Sequence, residues 1–176
     1  MNARMRACMH ALAKLLRTKG DVTESEEMFS EVVKLRTAHP DFGADHPDAL
    51  SSRRELAVLW RLQGKLPEAD TELNAVVQKR HDPIVHAEQV AELSEEELKP
   101  IHLAVCDDMY AMVEVLTSQR LDADRRLLMA ANLVNEVIEG RTKLLGERHA
   151  HTFDARILRG QVRVASGSRR GSKNGA

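Results

Sequence analysis

Aromatic residues are almost missing from this chain: one tryptophan, one tyrosine and three phenylalanines stand among 176 residues. Sandwich and barrel cores draw on aromatic and β-branched side chains, so the shortage points to helices packed through Leu, Val, Ala and Met. Cysteine is scarce as well, at two. Cys8 and Cys106 lie far apart without CxxC spacing, which signals neither a disulfide framework nor a zinc site. Both read as buried free thiols on helical apolar patterns. Charge of one sign is also lacking: 26 basic residues face 27 acidic ones for a formal net charge of -1. No global field therefore draws the chain onto nucleic acid or an anionic membrane.

Long apolar runs are absent, since nothing approaches the roughly 18 to 20 uninterrupted residues of a membrane span. The start MNARMRACMHALAKLL carries Arg, His and Lys where a signal core would be apolar, and a cytoplasmic protein is expected. An acid-free start as far as Asp21 also fits a mitochondrial presequence, but those residues carry half of a repeat whose removal would be costly. Glycines 20, 43, 64, 146 and 160 never form GxGxxG or a P-loop, so no nucleotide cofactor is read.

The chain does contain a copy of itself. Leu12-Ala13, Leu16, Lys19-Gly20, Glu24-Ser25-Glu26, Phe29, Val32-Val33 and Arg36 return 44 residues later as Leu56-Ala57, Trp60, Gln63-Gly64, Glu68-Ala69-Asp70, Leu73, Val76-Val77 and Arg80. Periods of about 20 to 50 residues mark stacked arrays whose units bury their apolar faces only against neighbours.

Residues 5–18 place Met5, Cys8, Met9, Leu12, Ala13, Leu15 and Leu16 at helical spacing. Lys19-Gly20-Asp21 ends that helix, and Asp21 with Glu24, or Thr23 with Glu26, offers a capping box for a second helix over 22–37. His39-Pro40 stops it. Pro47 and Asp48 suit the first turn of a third helix reaching Gly64, and Pro67 opens a fourth to about Arg80. Asp82-Pro83 and Pro100 read as breaks around an insertion. Helices over 101–119 and 122–144 make a third hairpin, whose Ala130, Val134, Val137-Ile138 and Arg141 stand 61 residues after Ala69, Leu73, Val76-Val77 and Arg80. Gly146-Glu147-Arg148-His149 repeats the Gly43-Ala44-Asp45-His46 loop at an offset of 103, and a lone helix over 152–166 follows as a cap.

This pattern of Leu-Ala, an aromatic or Leu four residues on, Gly four beyond and a small residue early in the second helix resembles tetratricopeptide repeats. The loops GADHPDALSSR and LLGERHAHTFDAR are similar to the linkers of the longer, kinesin-light-chain-type repeats. Ala150, where that linker has proline, and Arg159-Gly160, near where Leu-Ala would fall, depart from it. The resemblance implies an all-α, right-handed helical-repeat solenoid of antiparallel helix pairs: a single array over 1–165, with repeat 1 at 5–42, repeat 2 at 43–81, an insertion at 82–99, a degenerate repeat 3 at 100–145 and a half repeat at 146–165. A disordered basic tail at 166–176 follows from its polar, glycine-rich composition. The structural repeat positions are Leu12, Ala13, Gly20, Leu56, Ala57, Trp60, Gly64 and Ala69.

The resemblance further implies a concave groove that takes a peptide or partner domain and no catalysis. Counting family groove positions onto this chain gives His10, Lys14, Arg17, Arg54, Glu55 and Arg61, a mostly basic column suited to an acidic segment. Each such charge taken alone also reads as the solvated side of an amphipathic helix. The expected function is an adaptor or scaffold binding an acidic peptide or partner domain. The alternatives are a sensor or assembly arm of a larger signalling protein carrying a nucleotide-driven switch, and, more remotely, a metal-dependent enzyme using the eight histidines. His46 and His149 occupy equivalent loop positions, which favours capping over metal binding, and no metal is assigned. Asp107-Asp108 and Asp122-Ala-Asp124 lack a matching base or nucleophile and read as helix surface and helix cap.

Overall fold

In the computed structural model of the chain, backbone is described for residues 2–39, 43–85, 95–118 and 123–173. Side chains are described within these stretches except at 81–95, 97, 98, 123, 124 and 167–173. All regular structure among the described residues is helical. The chain divides into two compact units, Met1–Asp82 and Pro83–Ala176.

The first unit holds α1 (Ala3–Lys19), α2 (Val22–Thr37), α3 (Pro47–Leu62) and α4 (Leu66–Val85). Consecutive helices pack on each other, and the two repeat copies bury matching residues. Ala13 and Ala57, Phe29 and Leu73, and Val32 and Val76 are all fully buried. Ser25 takes the small-residue position of Ala69, its hydroxyl donating to the Ala13 carbonyl at 2.7 Å. The hairpin turns use Gly20 and Gly64 at φ 99° and 80°, a left-handed backbone that a Cβ disfavours.

Helix starts follow local chemistry. Pro47 enters at the first turn of α3, and the His46 ring nitrogen accepts the Asp48 backbone N–H at 3.1 Å. Neither proposed capping box closes α2: Asp21 makes no side-chain cap there, and Lys19 pairs with it at 2.8 Å instead. Glu26 is drawn away into the next repeat.

The second unit holds α5 (Glu95–Ser118), α6 (Ala123–Leu145) and α7 (Ala150–Lys173). Its core gathers Val113, Val115, Val134, Val137 and Val162. At Gly140 helices α5 and α6 pass so closely that a Cβ would stand 2.7 Å from Cys106 Sγ. His149 repeats the capping of His46, accepting the His151 backbone N–H at 3.2 Å.

Several sequence expectations need correction. Asp82-Pro83 does not break the chain, because α4 continues to Val85. Nor does Pro100 interrupt α5: it sits one turn into the helix, where the lost donor forfeits only one intrahelical bond. The expected insertion at 82–99 thus contributes helix at both edges, while residues 86–94 lie outside the described residues. The tail is not irregular from Ser166, since α7 runs on to Lys173; extending a nucleated helix is far easier than starting one. Cys8 is exposed, not buried. Asp108 is buried and Asp107 pairs with Arg141, so that pair is not bare helix surface.

Candidate functional site: a cation cluster shared by two repeats

Equivalent helices of a hairpin array stand side by side, so residues from α1 and α3 can meet. They do so at Glu55. Its carboxylate is almost fully buried and is approached by Arg54 Nη2 at 2.7 Å, Arg17 Nη2 at 3.2 Å and Lys14 Nζ at 3.6 Å. Three cations from two repeats therefore converge on one acid. The side chain of Lys14 is 47% exposed while those of Arg17 and Arg54 are 26% and 24% exposed, so the cluster presents cationic groups outward while Glu55 anchors them from within. Arg61 lies half-buried on the same helix as Arg54 and Glu55.

His10 sits deeper. Its Nδ1 is hydrogen-bonded to Ser52 Oγ at 3.0 Å, and its ring meets Phe29 edge-on at 5.2 Å. Burial, then the adjacent Arg36 guanidinium, pushes the His10 pKa below its ordinary value, with Glu55 partly opposing. A half-buried imidazole held neutral serves packing more than ligand capture.

Two inter-repeat clasps fix this geometry. At one end, Arg36 Nη1 donates to the Asp48 carbonyl at 2.5 Å and to Ser52 Oγ at 2.6 Å, tying the end of α2 to the start of α3. At the other, Glu26 accepts Trp60 Nε1 at 2.9 Å, Gln63 Nε2 at 2.6 Å and Lys65 Nζ at 2.9 Å. Burial alone would raise the Glu26 carboxyl, but the three donors outweigh it and hold its pKa below the usual value. Trp60 is consequently half-buried with a polar anchor rather than a sealed core residue.

The second unit reuses the arginine clasp: Arg141 Nη1 donates to the His151 carbonyl at 2.8 Å, its Nη2 pairs with Asp107 at 2.8 Å, and its guanidinium lies 4.8 Å from the Tyr110 ring centre. Arg80 donates to Ser51 Oγ at 2.8 Å and to the Pro47 carbonyl, in the first turn of α3, at 3.4 Å.

Six predicted site residues are thus placed: Lys14, Arg17, Arg54 and Glu55 come together, His10 packs beside them, and Arg61 lies on α3 with Arg54 and Glu55. Sequence reasoning missed Glu55 as the centre of the cluster. Its signal was available, because Glu55 is the lone acid among those positions. Of the histidines, His81 and His86 lie outside the described side chains. Among the described residues no group of three or more His, Cys, Asp or Glu side chains is placed to hold a metal ion. No helix among them is long and apolar enough to cross a membrane.

Comparison with known proteins bears on the repeat itself. Residues 6–48 match the family model described as tetratricopeptide repeat. The first repeat copy is thus similar to a tetratricopeptide repeat. The matched segment is the first copy with its linker, and the second copy follows at an offset of 44 residues. Among solved structures the chain is similar to a Podosopora anserina protein of nearly identical TPR-like repeats of the kinesin light chain kind, at 19% identity, covering 97% of this chain and 90% of that one, with a TM-score of 0.44. A single-substitution form of that protein is similar at 19% identity and the same coverage, with a TM-score of 0.43. No curated relative matches this chain.

Proposed function

We propose that this tetratricopeptide-repeat chain is a protein-interaction scaffold whose first unit takes an acidic peptide segment on the cluster of Lys14, Arg17 and Arg54. The observation that carries this reading is the convergence of three cations from α1 and α3 on the single buried Glu55 carboxylate. Formal charge leaves the cluster positive after Glu55 is counted. Its guanidinium groups are already oriented, so a ligand carboxylate would meet preorganised donors and lose less ordering entropy on binding. No reactive group is needed for such a task.

Charge at Lys14 tests the reading with little risk to the fold, because this side chain is the most exposed of the three and the most distant from Glu55. A short oligoglutamate peptide titrated at low salt should bind the wild type, bind Lys14→Glu at least several-fold more weakly, and lose affinity as salt rises. Equal affinity for the two proteins would overturn the proposal.

A further inference from the structure

Arg36 and Arg141 make similar clasps in different company. Arg141 Nη2 lies 2.8 Å from the Asp107 carboxylate, which carries the opposite charge. Arg36 has an imidazole beside it instead: while donating to Ser52 Oγ at 2.6 Å and to the Asp48 carbonyl, its Nη1 stands 3.5 Å from His10 Nδ1. A guanidinium only donates and keeps its charge. Nδ1 therefore suits this place as a bare nitrogen, and a proton on it would set donor against donor and cation against cation. Three helices meet here, with His10 on α1, Arg36 in the last turn of α2 and Ser52 on α3, and His10 Nδ1 lies 3.0 Å from Ser52 Oγ. Arg36 is 6% exposed and Ser52 fully buried, so water screens the contact poorly.

We infer that the junction of the first two repeats is a proton-sensitive latch: neutral His10 lets Arg36 and Ser52 pin the start of α3 to α1 and α2, and a proton on His10 weakens that hold. The charges facing the ring come from all three helices: Arg36 on α2, Glu55 and Arg54 on α3, and Lys14 on α1 itself. Glu55 is the acid among them, and Lys14, Arg17 and Arg54 already approach it. Arg36 is faced in turn by Asp48 and by the buried Arg6. Phe29 meets the ring edge-on at 5.2 Å and offers the proton nothing. Burial first, then Arg36, holds the His10 pKa below its ordinary 6.5 against the opposing pull of Glu55. The unfolded chain takes up this proton more readily than the folded one, so the latch's stabilisation is complete above about pH 6.5 and is lost as pH falls from there through the folded pKa. Arg141, paired with a carboxylate, has no such dependence in its clasp near neutral pH.

Two measurements on the full chain test the latch, and neither involves the acidic-segment site. In the first, the His10 ring is identified in the proton NMR spectrum by its through-space contact with Phe29 and titrated from about pH 8 to about pH 4. Its midpoint should lie below 6.5. In the second, urea midpoints read by Trp60 fluorescence at about pH 7.5 and about pH 5.5 compare the wild type with His10→Asn, whose amide oxygen keeps an acceptor near the place of Nδ1 and takes up no proton. The wild type should lose more of its midpoint on acidification than His10→Asn does, since the remaining histidines titrate alike in both. A His10 midpoint at or above 6.5 would overturn the inference, and so would equal losses in the two proteins. The NMR titration is read on the wild type, so it decides the matter even where His10→Asn does not fold.

Discussion

Leu12 and Leu56 occupy the same repeat position, yet shortening them to alanine should have very different consequences. Each change removes three carbons, and at about 0.8 kcal/mol per buried methylene a fully buried leucine would lose roughly 2.4 kcal/mol of transfer energy. Leu56 is 7% exposed and packed in the cluster with Ala13, Phe29 and Leu59. It forfeits nearly all of that and leaves a cavity besides, so Leu56→Ala should destabilise the first unit by about 3 kcal/mol, inside the usual range of ~2–5 kcal/mol for core leucines. Leu12 is 47% exposed. Leu12→Ala loses only about half the transfer energy, opens no closed cavity and gains slightly in helix propensity, for a net loss of about 1 kcal/mol or less. Urea unfolding followed by fluorescence suits the comparison, because Trp60 is the chain's single tryptophan and lies in this unit. With an m-value of about 1–2 kcal/mol/M, the two midpoints should separate by roughly 1–2 M. Coincident midpoints would show that Leu12 is as well packed as Leu56, and would refute the packing argument.

Two further outcomes follow from the clasps and the helix crossings. The Glu26 pKa is held below its ordinary 4.5 by Gln63, Lys65 and Trp60 against the opposing effect of burial, so its stabilisation is complete above about pH 4.5 and is lost as pH falls through the folded pKa. Urea midpoints tracked by Trp60 should therefore decline on acidification more steeply in the wild type than in Glu26→Gln, and parallel declines would remove Glu26 from the account. In the second unit, a Cβ at Gly140 would meet Cys106 Sγ at 2.7 Å, so Gly140→Ala should destabilise by about 1–3 kcal/mol through overpacking, less what the better helix former returns. Thermal unfolding by circular dichroism should show Gly140→Ala/Cys106→Ala more stable than Gly140→Ala alone; failure of that rescue would mean the contact is not what glycine relieves.

Much of this arrangement was legible before any coordinates. The boundaries of α2 and the entry of Pro47 into α3 follow from turn chemistry and apolar periodicity, both local signals. Gly20 and Gly64 were legible for the same reason: a left-handed turn accepts few residues besides glycine. Local signals also misled where context overrode them. Pro83 and Pro100 carry strong breaking tendencies, yet both lie inside helices whose packing outweighs a single missing donor. Thr23 and Glu26 have capping-box spacing, but three donors from the next repeat claim Glu26 first. Cys8 falls on an apolar stripe like any core residue, and nothing local says that its stripe lacks a cover.

The sequence by itself determined the repeating unit, its helical character, its turns and the pool of cations on α1 and α3, because each of these depends on residues a few positions apart along one chain. Only the tertiary structure decided that Glu55 gathers those cations, that Arg36 and Glu26 lock one hairpin to the next, and that the face closed around Leu56 stays open around Leu12. Those outcomes depend on which surface meets which, and burial is a property of the neighbour as much as of the residue: identical repeat positions acquire opposite fates when only one of them has a helix to pack against.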